Sequence, residues 1–164
     1  MKTYIIYLVS LGSIFLLTGW TKESSVPQCC KGSVTSKEKT DELYDIRIGG
    51  SESNSDNKNI IVYRKPETQA TELNELKFDL DCISKIKSSG KITRFKDSDY
   101  VEITLFNHDA ENETSIECII PKDKKVWGKL KTGWSASYLF GTLSELTIDC
   151  CPVVEREKKL CSGI

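Results

Sequence analysis

The sequence predicts a mainly β domain, built as a disulfide-stapled antiparallel β-sandwich or small barrel. Three observations indicate this fold class. Several short segments alternate apolar and polar residues, polar turn sequences separate them, and no stretch keeps helical apolar spacing over a dozen positions. Because successive side chains of a strand point to opposite faces, the alternation gives each segment one apolar face. Seven cysteines in 164 residues supply the cross-links.

Six segments carry the strand pattern. In "LYDIRIGG", Tyr44, Ile46 and Ile48 alternate with charged residues, and "IIVYR" is a short strand that Pro66 ends. The clearest four segments are "LKFDLDCIS", "YVEITLF", "SIECII" and "LTIDC". Turn sequences lie between them: "KSSGK", "KDSD" and "NHDAENET". Many short alternating strands with polar turns are typical of sandwiches and barrels.

The chain is expected to have three parts. Lys2 and the apolar run after it have the layout of a secretory signal peptide, assigned to residues 1–19. The run, from Tyr4 to Leu17, is too short for a membrane span, which needs about 20 residues. Residues 20–42 form a polar segment tied down by Cys29 and Cys30, and residues 43–164 form a single β-rich domain. The protein is therefore expected to be secreted and to have no membrane span.

The cysteines are predicted to form disulfides, because an exported chain enters an oxidising compartment. Cys82, Cys118 and Cys150 lie on the apolar faces of their segments, and Cys82 with Cys118 is the preferred pair. Adjacent cysteines rarely bridge each other, so each doublet is expected to send its thiols to two places. The predicted set is Cys29, Cys30, Cys82, Cys118, Cys150, Cys151 and Cys161.

An odd number of cysteines leaves one without an intramolecular partner. Cys161, close to the end of the sequence, is the first candidate. It is expected either to form a disulfide-linked dimer or to stay a quiet free thiol. Zinc is disfavoured because the sequence has no Cys-x-x-Cys and no histidine near a cysteine. No metal and no cofactor are predicted.

Charge and motifs exclude several function classes. The formal net charge is −1 and opposite charges are interleaved, so no nucleic-acid partner is expected. His108 is the single histidine and lies in a polar turn, and no catalytic motif is present, so no catalytic residue is assigned. Asn112 begins the sequon Asn-Glu-Thr in that turn, which predicts a glycosylation site in a eukaryotic or viral host.

The segment "PKDKKVWGKLKTGW" is the candidate binding surface. Its lysines supply charge for anionic groups, and its tryptophans supply the rigid contact area found at binding hot spots. The partner is expected to be an extracellular protein or an anionic glycan. The alternative interpretation is packing tryptophans with a solvated lysine hairpin. The candidate residues are Lys124, Lys125, Trp127, Lys129, Lys131 and Trp134.

These features together predict a secreted, disulfide-rich recognition protein that acts through surface loops. Two alternatives stay open. A secreted carboxylate-dependent hydrolase requires two acids that converge in a pocket, and Asp79 with Asp81 or Asp97 with Asp99 are the pairs to consider. A β-barrel carrier of a small apolar ligand requires an empty apolar cavity.

Overall fold

The structure, a computed structural model, describes residues 30–50, 59–107 and 113–150. Eleven strands and one short 3₁₀ turn, Leu80–Cys82, make up the regular structure of these residues. The strands are β1 Cys30–Ser36, β2 Thr40–Leu43, β3 Ile46–Gly49, β4 Asn59–Arg64, β5 Glu75–Asp79, β6 Ile83–Phe95, β7 Ser98–Asn107, β8 Ser115–Pro121, β9 Lys125–Lys129, β10 Ser135–Leu139 and β11 Leu143–Cys150.

These strands form two antiparallel sheets. The large sheet has eight strands in the order β2-β1-β11-β6-β7-β8-β4-β5, and the small sheet has three in the order β10-β9-β3. The mainly β prediction is confirmed, and the two sheets are consistent with a β-sandwich. The disulfide part of the predicted fold class remains a prediction, except for one pair that the structure contradicts.

The core forms where the apolar faces of the two sheets meet. Ile46, Ile48 and Val126 of the small sheet join large-sheet residues such as Val34 and Ile86 in one buried cluster. The alternation predicted for β7 holds throughout, because Val101, Ile103 and Leu105 are all at most 2% exposed. Burial of these side chains is the main favourable contribution to folding, at about 1.5–3 kcal/mol for each large one.

Gly32 of β1 allows β1 and β11 to pair closely beneath β3. A Cβ atom at this position would collide with the backbone carbonyl oxygen of Thr147 and crowd the Ile46 side chain. β1 itself belongs to the polar segment that precedes the predicted domain, so the large sheet extends into that segment. Pairing with β11 stabilises β1, although the sequence of β1 is too polar to predict a strand.

Two predicted boundaries differ from the structure. The segment "LKFDLDCIS" is not one strand: β5 ends at Asp79, a 3₁₀ turn follows, and β6 starts at Ile83. The break is needed because β5 lies at the edge of the large sheet while β6 lies inside it. The predicted turn "KSSGK" lies within β6, where the pairing with β7 shifts between Ser88 and Ile92. Gly90 permits this irregularity by adopting a φ of +69°.

The preferred disulfide between Cys82 and Cys118 is wrong. Cys118 is a free thiol in the core. It lies in β8 opposite Ile103 of β7, whereas Cys82 precedes Ile83 of β6, which lies opposite Asn107 of β7. Two strand spacings, about 10 Å, separate the two positions across the sheet. A disulfide needs Cα atoms within about 7 Å of each other. Facing the same core therefore did not make these cysteines neighbours.

One cysteine of each doublet lies at a strand end, and these two strand ends pair. Cys30 at the start of β1 pairs in register with Cys150 at the end of β11. Cys82 lies just before β6, which is the other neighbour of β11 in the large sheet. Cys29, Cys151 and Cys161 lie outside the described residues.

Candidate functional site

The predicted binding segment forms β9 and the turn that joins β9 to β10 in a hairpin. The Leu130 N–H donates to the Trp134 carbonyl oxygen at 2.8 Å, and the Gly133 N–H donates to the Leu130 carbonyl oxygen at 2.9 Å. Gly133 has a φ of +85°, which the tight turn requires and which other residues rarely adopt. The hairpin therefore presents its side chains on two defined faces.

Three of the predicted residues share the outer face of the small sheet. Val126 is fully buried towards the core, so alternation turns Lys125, Trp127 and Lys129 outwards. Trp127 lies in register between Arg47 of β3 and Ser137 of β10. We call this surface the Trp127 face, and it consists of Arg47, Lys125, Trp127, Lys129, Ser135 and Ser137.

A surface depression of about 230 Å³ lies on the Trp127 face. Its lining comes from all three strands and from the residue before β3: Asp45, Arg47, Trp127, Gly128, Lys129 and Ser135. Gly128 contributes only backbone to the depression, because a Cβ at this position would point to the core and collide with the Leu43 side chain. The depression thus combines an aromatic wall with two cationic side chains and one carboxylate.

The positive charge of the Trp127 face is only partly balanced. Asp45 accepts hydrogen bonds from Arg47, with both Nε and Nη2 lying 3.3 Å from Oδ2. Lys129 is exposed and has no ion-pair partner among the described residues. The Lys125 Nζ lies 5.6 Å from the centre of the Trp127 ring, within the range of a cation–π contact. A net positive surface therefore surrounds the indole.

The indole N–H of Trp127 is the unusual group of this site. Nε1 is buried and has no hydrogen-bond partner, and it is the one buried side-chain nitrogen or oxygen of the described residues in that state. Leaving a buried donor unpaired costs about 1–3 kcal/mol, so native proteins rarely do so. A ligand that brings an acceptor to this nitrogen would remove that cost.

The remaining predicted residues lie at the two ends of the hairpin. Lys124 is half-buried in the turn before β9, where its N–H donates to the Pro121 carbonyl oxygen at 3.0 Å. Lys131 is exposed in the hairpin turn, and Trp134 follows it with 74% of its surface exposed. The structure therefore unites Lys125, Trp127 and Lys129 and places the other three around them.

Sequence reasoning missed Arg47 and Asp45. Both lie about 80 residues before the hairpin, and the pairing of β3 with β9 brings them to it. The signal that was available is the alternation in "DIRIG", which places Arg47 opposite in phase to Ile46 and Ile48. Nothing in that pattern identifies β9 as the neighbouring strand.

A second depression, of about 140 Å³, is built around Glu102 on the large sheet. Glu102 accepts a hydrogen bond from Thr93 at 2.6 Å and ion pairs with Lys65 at 3.1 Å and Lys91 at 3.4 Å. The Thr93 hydrogen bond, reinforced by the two lysines, lowers the pKa of this carboxyl. Because a general acid needs a raised pKa, Glu102 does not suit the acid role of a hydrolase. Its contacts join β6, β7 and the residue after β4.

Cys118 lines the same depression but is poorly suited to nucleophilic chemistry. Burial raises the pKa of its thiol to about 11, with a small opposing effect of Arg64. The thiolate is the reactive form, and reactive cysteines have lowered pKa values. His108 and Asn112, the sequence-predicted loop residues, lie outside the described residues.

Comparison with protein-family models, curated proteins and solved structures finds no match to this chain. Within the described ranges, no cluster of three or more histidine, cysteine, aspartate or glutamate side chains is arranged to hold a metal ion. No helix in those ranges is both long and apolar enough to cross a bilayer. The case for function therefore comes from the chemistry of the Trp127 face.

Proposed function

We propose that this protein acts outside the cell as a binding protein, and that the Trp127 face captures an anionic group of its partner. The unpartnered indole N–H of Trp127 is the observation that carries this proposal. The partner is an extracellular protein or glycan that presents carboxylate or sulfate groups.

The donors of the depression favour an anion over a neutral ligand. Arg47 and Lys129 offer N–H groups, and the buried indole N–H of the lining residue Trp127 is unpaired among the described residues. The one carboxylate of the lining, Asp45, is engaged by Arg47. Carboxylate and sulfate oxygens accept several such hydrogen bonds at once, and charge-assisted hydrogen bonds are about twice as strong as neutral ones. The aromatic wall adds contact area without much loss of conformational entropy.

Secretion and disulfides complete the proposal. Cys30 and Cys150 face each other in register, and Cys118 is the free thiol, which leaves an even number of cysteines in the sequence. We propose that these six pair in an oxidising compartment, so Cys118 and not Cys161 is the odd cysteine. In guanidinium without reductant, a thiol assay should then find one reactive group, and seven would contradict the proposal.

Charge reversal tests the binding proposal. The variant Arg47→Glu/Lys129→Glu should bind a sulfated oligosaccharide and a poly-glutamate probe about a hundredfold more weakly than the wild type, because attraction becomes repulsion. The matched control is Lys31→Glu/Lys77→Glu, which makes the same change of charge at exposed positions of β1 and β5. Calorimetric titration measures both. Equal weakening by the two variants would show that only net charge matters and would overturn the proposed site.

A further inference from the structure

The outer edge of β10 has backbone groups directed away from its own sheet. The Leu130 N–H donates to the carbonyl oxygen of Trp134, directly before β10, whereas the Lys129 N–H donates to the carbonyl oxygen of Asp45, directly before β3. Hydrogen bonding alternates along a strand, so Ala136 and Tyr138 bond to β9. The N–H and C=O of Ser137 therefore point to the opposite side, where no described strand pairs with β10.

β10 lacks the features that usually protect an edge strand. Its sequence, Ser-Ala-Ser-Tyr-Leu, has no charged residue and no proline. The edge strands of the large sheet differ, because β2 carries Asp41 and Glu42 and β5 carries three charged residues. Charges and prolines on edge strands prevent pairing with other chains. The sequence of β10 therefore contains nothing that would prevent a strand of another chain from pairing with this edge.

The surroundings of β10 favour an acidic partner. Residues 122–139, which include the whole hairpin, contain five lysines and one aspartate, although the complete chain has a net charge of −1. Trp134 stands directly before β10 and is 74% exposed, which makes it an apolar anchor for a bound segment.

The small side chains of β10 connect its edge to the depression. Ser135 and Ser137 lie on the Trp127 face, and Ser135 lines the depression itself. A strand added beside β10 would lie about 4.8 Å from it. Long acidic side chains on such a strand could extend over the two serines towards Trp127 and Lys129. The same strand would therefore use the backbone edge and the anion site together.

We propose that β10 is a strand-addition site, at which an extended acidic segment of a partner protein pairs with Ser137 and places carboxylates on the Trp127 face. This inference rests on the proposed function and narrows its partner from any anionic molecule to an acidic peptide segment. Main-chain hydrogen bonds would supply affinity, and the charged face would supply specificity.

Proline substitution at the edge tests the inference. Ser137→Pro removes the outward N–H without removing a hydrogen bond to β9, and edge strands tolerate proline. The probe is a labelled alternating Glu-Val peptide of about six residues. We expect Ser137→Pro to weaken its binding about tenfold or more. The control Lys77→Pro makes the same backbone change at an outward N–H of edge strand β5 of the large sheet, and it should bind like the wild type. Circular dichroism should show the same fold for all three.

A second measurement covers misfolding of the proline variant. The wild-type protein is titrated with the same peptide methylated at alternate backbone nitrogens, which blocks pairing along one edge. We expect the same loss of binding when the methylated edge faces β10. Strand addition would be overturned if the wild type bound the methylated and unmethylated peptides equally. Equal binding of the unmethylated peptide by the wild type and Ser137→Pro would overturn it as well.

The outcomes separate this inference from the proposed function. If Arg47→Glu/Lys129→Glu weakens capture while Ser137→Pro does not, the anion site stands and strand addition fails. Binding of the sulfated oligosaccharide without binding of the peptide would also overturn it, in favour of a glycan. If light scattering shows that Ser137→Pro disperses a dimer but leaves peptide binding unchanged, the edge serves a second copy of the chain and the inference is wrong.

Discussion

The two sheets of this protein differ in how the charged side chains on their outer faces are paired. On the large sheet, several lysines are paired with carboxylates across strands: Lys65 and Lys91 with Glu102, and Lys87 with Glu145. On the small sheet, Lys125 and Lys129 have no carboxylate partner among the described residues, and the indole N–H of Trp127 lacks an acceptor. The ion pairs of the large sheet link neighbouring strands, whereas, within the described residues, the small sheet holds two unpaired lysines beside an indole N–H without an acceptor. We infer that stability is concentrated in the first and binding in the second.

The largest expected effect is on the core that joins the two sheets. Phe140 is fully buried, and its carbonyl oxygen accepts a hydrogen bond from the Ser88 hydroxyl of the large sheet at 2.6 Å. Phe140→Ala should lower the free energy of unfolding by about 3–5 kcal/mol, because it leaves a cavity. Leu139→Ala, at a neighbouring residue that is 40% exposed, is the control in urea unfolding. Similar losses for both variants would contradict the assigned core.

The polar network of the large sheet should give the next largest effect. Glu102→Gln replaces charge-assisted hydrogen bonds by neutral ones and should cost about 1–3 kcal/mol of unfolding free energy at neutral pH. Because the folded-state pKa of Glu102 is lowered by Thr93 and the lysines, this stabilisation is complete above the unfolded pKa of 4.5. It is lost as the pH falls through the folded-state pKa.

The comparison of wild type and Glu102→Gln should therefore depend on pH. The difference between their unfolding free energies is expected to shrink below pH 4.5 as the wild-type carboxyl becomes protonated. Glu117→Gln, at an exposed neighbour in β8, serves as the control and should stay close to the wild type. A difference that is constant with pH would show that Glu102 does not act through its charge.

The small sheet should show the opposite relation between stability and binding. Trp127→Phe removes the unpaired N–H and keeps an aromatic ring. The loss of packing area and the removal of an unpaired buried donor act in opposite directions, so the free energy of unfolding should fall by no more than about 1 kcal/mol. Binding of the anionic probes should weaken about tenfold, since one hydrogen bond to a charged group is lost. A variant that binds normally but unfolds easily would assign Trp127 to packing alone.

The smallest expected effect concerns Cys118. Its buried thiol, with a pKa raised to about 11, should react with iodoacetamide at pH 8 much more slowly than a free cysteine. Unfolding in guanidinium should restore ordinary reactivity, which mass spectrometry detects as one added group on this residue. Rapid labelling of Cys118 in the folded protein would show that the core is open there.

Alternation in the sequence predicted β3, β4, β5, β7, β8 and β11, because the order of apolar and polar residues reveals the period of a half-buried strand. Ile46, Ile48 and Leu146 are buried as that period requires. Ile119 is fully buried although it is out of phase with Cys118 and Ile120, which face the core. Its burial depends on the neighbouring strands β4 and β7, which alternation within β8 does not specify.

The candidate site could be predicted only in part for the same reason. The spacing of Lys125, Trp127 and Lys129 already places them on one face of a strand. Arg47 joins them through the pairing of β3 with β9, a contact between distant parts of the chain. Cys82 and Cys118 show the opposite case. Their shared apolar phase predicted that they would be neighbours, but β7 lies between β6 and β8 in the sheet and separates them.

We infer that an anionic partner supplies the hydrogen-bond acceptor that the indole N–H of Trp127 lacks. The most direct test follows the tryptophan side-chain ¹H–¹⁵N resonances during titration with the alternating Glu-Val peptide and the sulfated oligosaccharide, with Trp127→Phe to assign the signal. We predict that the Trp127 resonance moves downfield and saturates together with binding. A Trp127 resonance that stays in place while either probe binds would contradict the account.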